Sequence, residues 1–166
     1  MAWPLRVNVA GGWYHVVSRW NGGDRIYRDD IDRRRFLGVV SELPGRFSVE
    51  IHAFVLMGNH YHLQLRCREA NLSEAVRWLQ VSYAGRFNWA HRRRGHLFQG
   101  RFKSALLEEP ALDDVARYIH LNPVRIGGLG LSKQDQRRAR VLGCDDPGWE
   151  LVARRVATLR DHAWSS

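Results

Sequence analysis

Two histidines one residue apart, His60 and His62, stand in the run MGNHYHLQL (57–65), and Tyr118 and Asn122 stand in VARYIHLNPV (115–124). Side chains alternate across a strand, so in an extended run the histidines share one face, roughly 7 Å apart along it, and Tyr61 points the other way. Two imidazoles so placed are able to converge on one metal ion. Tyr118 supplies a phenol able to attack phosphorus, and Asn122 follows one helical turn later. A metal-binding pair beside a nucleophilic phenol is the equipment for cutting a phosphodiester through a covalent link.

Neither half is diagnostic alone. With eight histidines in the chain, roughly 0.4 such pairs arise by chance, and two half-exposed strand histidines would look the same. Tyr118 lies about 110° from the centre of an apolar stripe made by Leu112, Val115, Ala116 and Ile119, where an ordinary amphipathic boundary tyrosine would also sit. Pro123 disfavours helical dihedrals at Asn122, which predicts that the helix ends there.

The elements around these residues follow from periodicity. WYHVVSR (13–19) reads as a strand. A turn-rich patch at 21–24 follows, and Asp30 or Asp32 opens a helix through RRRFLGVVSEL, closed by Pro44-Gly45. Phe47 to Leu56 and His60 to Arg66 read as two strands of a hairpin turning at Met57-Gly58-Asn59. A helix runs from Leu72 to His91 with Ser73 as its N-cap, a short extended piece covers Phe102 to Leu107, and Pro110 sets the first turn of the Tyr118 helix. Strand, helix, two strands, helix, strand predicts an α+β, ferredoxin-like sandwich: an antiparallel sheet with helices on one face. Beyond it, Ser132 to Leu142 and Trp149 to Leu159 read as arginine-rich helices, a C-terminal helical extension.

The chain has 166 residues, enough for one domain. Its formal charge of +9 is carried by arginine: Lys103 and Lys133 are the only lysines among 26 basic residues. Guanidinium forks match phosphate oxygens and stack on bases, which suits a nucleic-acid partner, although a GC-rich genome also writes Arg for Lys. Arg92, Arg93, Arg94, Arg101 and Lys103 surround GHLFQGRF (95–102), whose Phe98 and Phe102 are candidates for stacking on unpaired bases, with packing in a core as the alternative. Arg137, Arg138 and Arg140 form a second basic patch. Two cysteines without metal-ligand spacing argue against a disulfide framework, and no apolar stretch is long enough for a signal or a membrane span. A cytoplasmic, nucleoid-associated protein is expected.

Taken together, YHVVSRWN, IYRDDIDRRRFL, EIHAFVLMGNHYHLQL, GHLFQGRFKS and RYIHLNPVR resemble the REP-associated tyrosine transposases, within the single-tyrosine, histidine–hydrophobic–histidine (HUH) transposases. The resemblance runs from about Leu5 to Leu129. It implies an HUH nuclease/transposase domain over 1–129, with 130–166 as the basic extension. It implies Tyr118 as nucleophile and His60, His62 and Asn122 as ligands of Mg²⁺ or Mn²⁺. The implied partner is single-stranded DNA with a stem-loop of the REP type, gripped by the basic residues above and by Arg125. Gly58 stands where many relatives have proline or aspartate, which should loosen the hairpin. Tyr61 replaces a small aliphatic residue but faces away from the metal. Relatives often continue past a Trp-Ser-Ser sequence, so the ending Trp164-Ser165-Ser166 reads as truncated. The sequence does not separate monomer from homodimer, nor reveal the DNA sequence recognised.

Three other readings compete. A domesticated DNA-binding protein would keep the fold with little turnover. A metal-dependent hydrolase would need a carboxylate base, and none stands beside MGNHYHLQL. An RNA-binding module would need an aromatic strand motif that the chain lacks. Should Tyr118 not be the nucleophile, Tyr83 is the next phenol to consider, although its helical register reads as packing.

Overall fold

The computed structural model describes residues 7–20, 25–98 and 100–125, the last five through their backbone alone. The C-terminal extension with Arg137, Arg138 and Arg140 lies outside the described residues, as do the side chains of Asn122 and Arg125.

Among the described residues, four strands form one antiparallel sheet: β1 (Trp13–Arg19), β2 (Val49–Leu56), β3 (His60–Cys67) and β4 (Lys103–Leu107), in the order β2-β3-β1-β4. The helices are α1 (Asp30–Val40), the short α2 (Leu43–Phe47), α3 (Leu72–Ala90) and α4 (Leu112–Arg125), the last entered through a 3₁₀ turn at Glu109–Ala111. This is the α+β, ferredoxin-like order expected from the sequence.

Parity decides which side each strand residue serves. In β1, Tyr14, Val16 and Ser18 are buried, as is Trp20 just beyond it, and the alternate residues Trp13, His15 and Val17 are half-buried on the opposite face. The buried set meets Tyr61, Leu63 and Leu65 of β3 and the apolar sides of α1 and α3 in the main core. Phe36, Tyr61, Tyr83, Tyr27 and Phe87 pack there ring against ring, with centroids 4.9–5.9 Å apart. Asp29 caps α1 by accepting from the Asp32 amide at 2.8 Å, one residue before the expected start. Pro44-Gly45 does not merely close α1. The chain turns at Ser41-Glu42 and enters α2 with Pro44 in its first turn, where a missing N–H costs nothing.

The expectation of helices on one face holds for α1 and α3. The correction is α4, which packs on the other face against β2 and β3. A β-bulge at His52 provides its seat. Ile51 pairs with Leu65 but Ala53 pairs with Gln64, so β2 gains one residue and its parity flips. Val49 and Ile51 serve the main core. Ala53 and Val55 turn to the far face and meet Ile119, Val115 and Ala116 of α4. Gln64, buried on the same face, donates from Nε2 to the Leu112 carbonyl at 3.0 Å and ties α4 to β3 at its first residue.

Three local expectations change. Asn71, not Ser73, precedes the first residue of α3, and its amide donates to the Phe47 carbonyl at 2.8 Å instead of capping. The α4 backbone stays helical through Pro123 to Arg125 rather than stopping at Asn122, because a proline in the last turn forfeits only one hydrogen bond near an end that frays anyway. The hairpin at Gly58-Asn59 is tied down: Trp20 N–H donates to the Asn59 carbonyl and Ile26 N–H to that of Gly58, each at 2.9 Å.

Candidate active site

The far face of the sheet presents rungs of side chains shared by β3, β1 and β4. His60 pairs with Arg19. His62 pairs with Val17, which pairs with Lys103 beyond it. Gln64 pairs with His15. Directly paired residues of antiparallel strands share a face, so three histidines, Arg19 and Lys103 belong to one surface. Tyr61, between the two histidines, is fully buried in the main core as its parity predicts.

His60 and His62 have ring centroids 5.1 Å apart. The Nδ1 of His60 lies 2.6 Å from Asn59 Oδ1, and the Nδ1 of His62 lies 2.9 Å from His15 Nε2. Burial lowers the pKa of both rings. His62 is pushed from its ordinary 6.5 down to about 4, by burial first and then by His15, His60 and Arg19. His60 is lowered by burial and by Arg19. Both are therefore neutral near pH 7, as imidazole ligands must be. Two neutral imidazoles on one face of a strand are groups of the type that could hold a divalent ion. Among the described residues, no group of three or more His, Cys, Asp or Glu is placed to hold one.

Tyr118 reaches this face from α4. Its ring lies 5.9 Å from that of His62 and 6.0 Å from that of His15, edge-on to both, and it is 37% exposed. Tyr118 lies 58 and 56 residues beyond His60 and His62, and the packing of α4 on Ala53 and Val55, with the Gln64 bond to Leu112, brings them together. Asn122 follows Tyr118 by one turn of the α4 backbone. Tyr83 is spent elsewhere: it is fully buried, its hydroxyl donates to the Ile26 carbonyl at 2.6 Å, and burial raises its pKa far above the ordinary phenol value.

The basic residues fall into two places. Lys103 is exposed on the rung of His62. Arg92 and Arg94 are exposed in the turn after α3, and Arg93 lies over the Trp20 ring at 4.5 Å. That turn is held where it leaves α3, because His91 Nε2–H donates to the buried Asp32 carboxylate at 2.7 Å. Arg101 is exposed just before β4. The two phenylalanines require a correction. Phe102 is buried in the main core, and Phe98 packs against it with its ring 6.1 Å from Tyr61. Apolar alternation with the basic residues, read as a base-stacking pattern, is here the pattern of a strand edge entering a core.

His15 and Arg19 were missed by sequence reasoning. Both lie in YHVVSRWN, and their shared parity was legible. Their pairing with β3 was not, because it depends on register.

A family model described as "Transposase IS200 like" matches residues 8–122. The chain belongs to that family. Among solved structures, this IS200-like transposase is similar to a REP-associated tyrosine transposase bound to a REP hairpin. The match is 19% identical, covers 76% of this chain and 75% of the other, and has a TM-score of 0.65. It is also similar to a candidate transposase from Deinococcus radiodurans R1, at 17% identity, 71% and 95% coverage and a TM-score of 0.50. At these identities the likeness is one of fold. No curated protein matches the IS200-like chain in sequence. Among its described residues, no helix is long and apolar enough to cross a membrane.

Proposed function

We propose that this IS200-like transposase cleaves and rejoins hairpin-bearing single-stranded DNA through a 5′-phosphotyrosine link to Tyr118. The observation that carries the reading is the approach of the exposed Tyr118 ring to His62 from a different layer of the fold. Tyr118 Oη attacks the scissile phosphorus, the bond to the 3′ oxygen breaks, and that oxygen leaves with a proton as a free 3′-hydroxyl. The phosphotyrosine bond conserves the phosphodiester, so a second 3′-hydroxyl reverses the attack without ATP.

His60 and His62, with Asn122 from α4, are the residues that would hold Mg²⁺ or Mn²⁺. The bound ion would polarise the scissile phosphate and offset the charge that develops on it. Two imidazoles favour Mn²⁺ over Mg²⁺, which prefers oxygen. Arg19 and Lys103 flank the histidines and suit the phosphates on either side. Arg92 and Arg94, on a turn fixed by His91 and Arg93, suit a hairpin stem, as do the basic residues beyond α4. The hairpin carried by the similar REP-associated transposase supports the choice of substrate.

The test is a stem-loop oligonucleotide copied from repeats beside the gene, labelled at its 3′ end and incubated with Mn²⁺ or with EDTA. The expected result is a labelled protein–DNA band on a denaturing gel. EDTA abolishes it, and Tyr118→Phe lowers it about 1,000-fold or more. Salt-sensitive hairpin binding without that band would assign the chain to DNA binding with little turnover.

A further inference from the structure

Four tryptophans stand among the described residues, and three of them have an arginine over the ring. Arg66 lies 5.6 Å from the Trp13 ring centroid, Arg93 4.5 Å from that of Trp20, and Arg46 4.7 Å from that of Trp78. Trp89 differs: at the end of α3 it is 85% exposed. The buried side of α3 runs through Leu79, Tyr83 and Phe87. Trp89 follows Phe87 by two residues, about 200° around the helix, so the helix turns it outward. One turn earlier on the same row is Gly85, and one turn before that the exposed Val81. Helical side chains lean toward the N-terminus, so Trp89 leans toward Gly85. Glycine inside a helix is unfavourable relative to alanine. A Cβ at Gly85 would meet nothing within 4 Å, so packing among the described residues does not require a glycine there. The row therefore offers an uncovered indole beside bare backbone.

The surroundings are basic. From Ala75 to Leu107 the chain holds seven arginines and lysines and neither aspartate nor glutamate. Arg86 is paired with Glu42 at 2.9 Å, but Arg92 and Arg94 are exposed in the turn directly after Trp89. That turn is bound back onto α3. Arg93 N–H donates to the Asn88 carbonyl at 2.8 Å, and Asn88 Nδ2 donates to the Gly95 carbonyl at 2.9 Å. Trp20, under Arg93, follows Arg19, which pairs with His60, so the turn stands at that end of the sheet.

We propose that Trp89 is a stacking platform for an unpaired base adjoining the hairpin stem, with Arg92 and Arg94 on the neighbouring phosphates. The proposal rests on the reading of hairpin-bearing DNA as substrate and adds to it a contact with a base. Every base has a π-face, so such a platform grips unpaired nucleotides whatever their sequence. Charge selects this occupant. Residues 126–166 carry seven arginines and lysines against five acids, and the whole chain has a formal charge of +9. Neither that segment nor a second copy complements the patch as a polyanion does.

The test measures, by fluorescence anisotropy in EDTA, how the full chain binds two DNAs. One is the stem-loop with its unpaired flanks, copied from repeats beside the gene, and the other is a blunt duplex of the same stem. Trp89→Ala is expected to weaken stem-loop binding about 10-fold, with Trp89→Phe within about threefold of the unaltered chain. Both should bind the duplex within about twofold of it. The salt slope should stay unchanged in Trp89→Ala and fall by about one in Arg92→Gln. Should Trp89→Ala lose its melting transition, Trp89→Gln replaces it. Unchanged stem-loop affinity in Trp89→Ala, or an equal loss on both DNAs, would overturn the platform. So would a loss in Trp89→Phe as large as in Trp89→Ala. A variant that dissociates a dimer while keeping its DNA affinity would assign the row to a second copy and overturn it too. If the unaltered chain does not bind the stem-loop, the substrate reading fails and the platform with it. If it binds and Trp89→Ala binds equally, only the platform fails.

Discussion

The two faces of one sheet do different work. On one, Tyr14, Val16, Tyr61, Leu63 and Leu65 meet α1 and α3 in a continuous apolar core. On the other, His15, His60, His62 and Gln64 stand on the same strands, and α4 rests on a small patch of Ala53, Val55 and Ile119 plus the Gln64 bond. Burying a large apolar side chain contributes about 1.5–3 kcal/mol, so the first face supplies most of the stability. The second carries buried imidazoles, which cost stability and are held in place by the first. The main core and the candidate site thus occupy opposite parities of the same strands, with the histidines on the sheet and the tyrosine on the helix packed against it.

Truncating each face separately gives the sharpest contrast. Leu63→Ala removes a fully buried side chain from the main core and should cost about 3 kcal/mol, lowering the melting temperature by about 10 °C. Ile119→Ala, under α4, should lower it less yet reduce adduct formation more at temperatures where both variants stay folded. Gln64→Leu should act like Ile119→Ala, with faster amide hydrogen exchange in α4 than in β1 and β3. Equal melting losses, or uniform exchange across both layers, would erase the distinction.

Acid offers a smaller effect on the same comparison. The unfolded chain takes up a proton on His62 from about pH 6.5 downward, whereas the folded chain holds its pKa at about 4. The folded pKa is the lower one, so stability is full above pH 6.5 and is lost as pH falls toward 4. His15 and His60 are lowered too and add in the same direction. The metal-free protein should therefore melt progressively earlier between pH 7 and 4.5, and His62→Gln should flatten that dependence. A His62→Gln profile with an unchanged slope would place the acid sensitivity elsewhere.

Much of this was legible in the sequence for a physical reason. Strand parity separates His60 and His62 from Tyr61, and helical spacing puts Tyr118 at the edge of its stripe, so both candidate groups were readable locally. The element order and the sheet it implies were readable for the same reason. What escaped depends on register. The bulge at His52 turns Ala53 and Val55 to the far face, and that one-residue shift gives α4 its seat. Likewise His15 meets His62 only through β1–β3 pairing. Phe102 shows the reverse failure, an aromatic among cations whose burial depends on where β4 begins. Asn122 keeps its place one backbone turn beyond Tyr118, with its side chain outside the described residues.

The most direct measurement is to digest the covalent DNA adduct with nuclease and trypsin and identify the peptide that bears the nucleotide. Arg117 and Arg125 bracket a single tryptic peptide, residues 118–125, with Tyr118 at its start. The account predicts the nucleotide on that peptide. A nucleotide on the peptide containing Tyr83, or on any residue other than Tyr118, would contradict it.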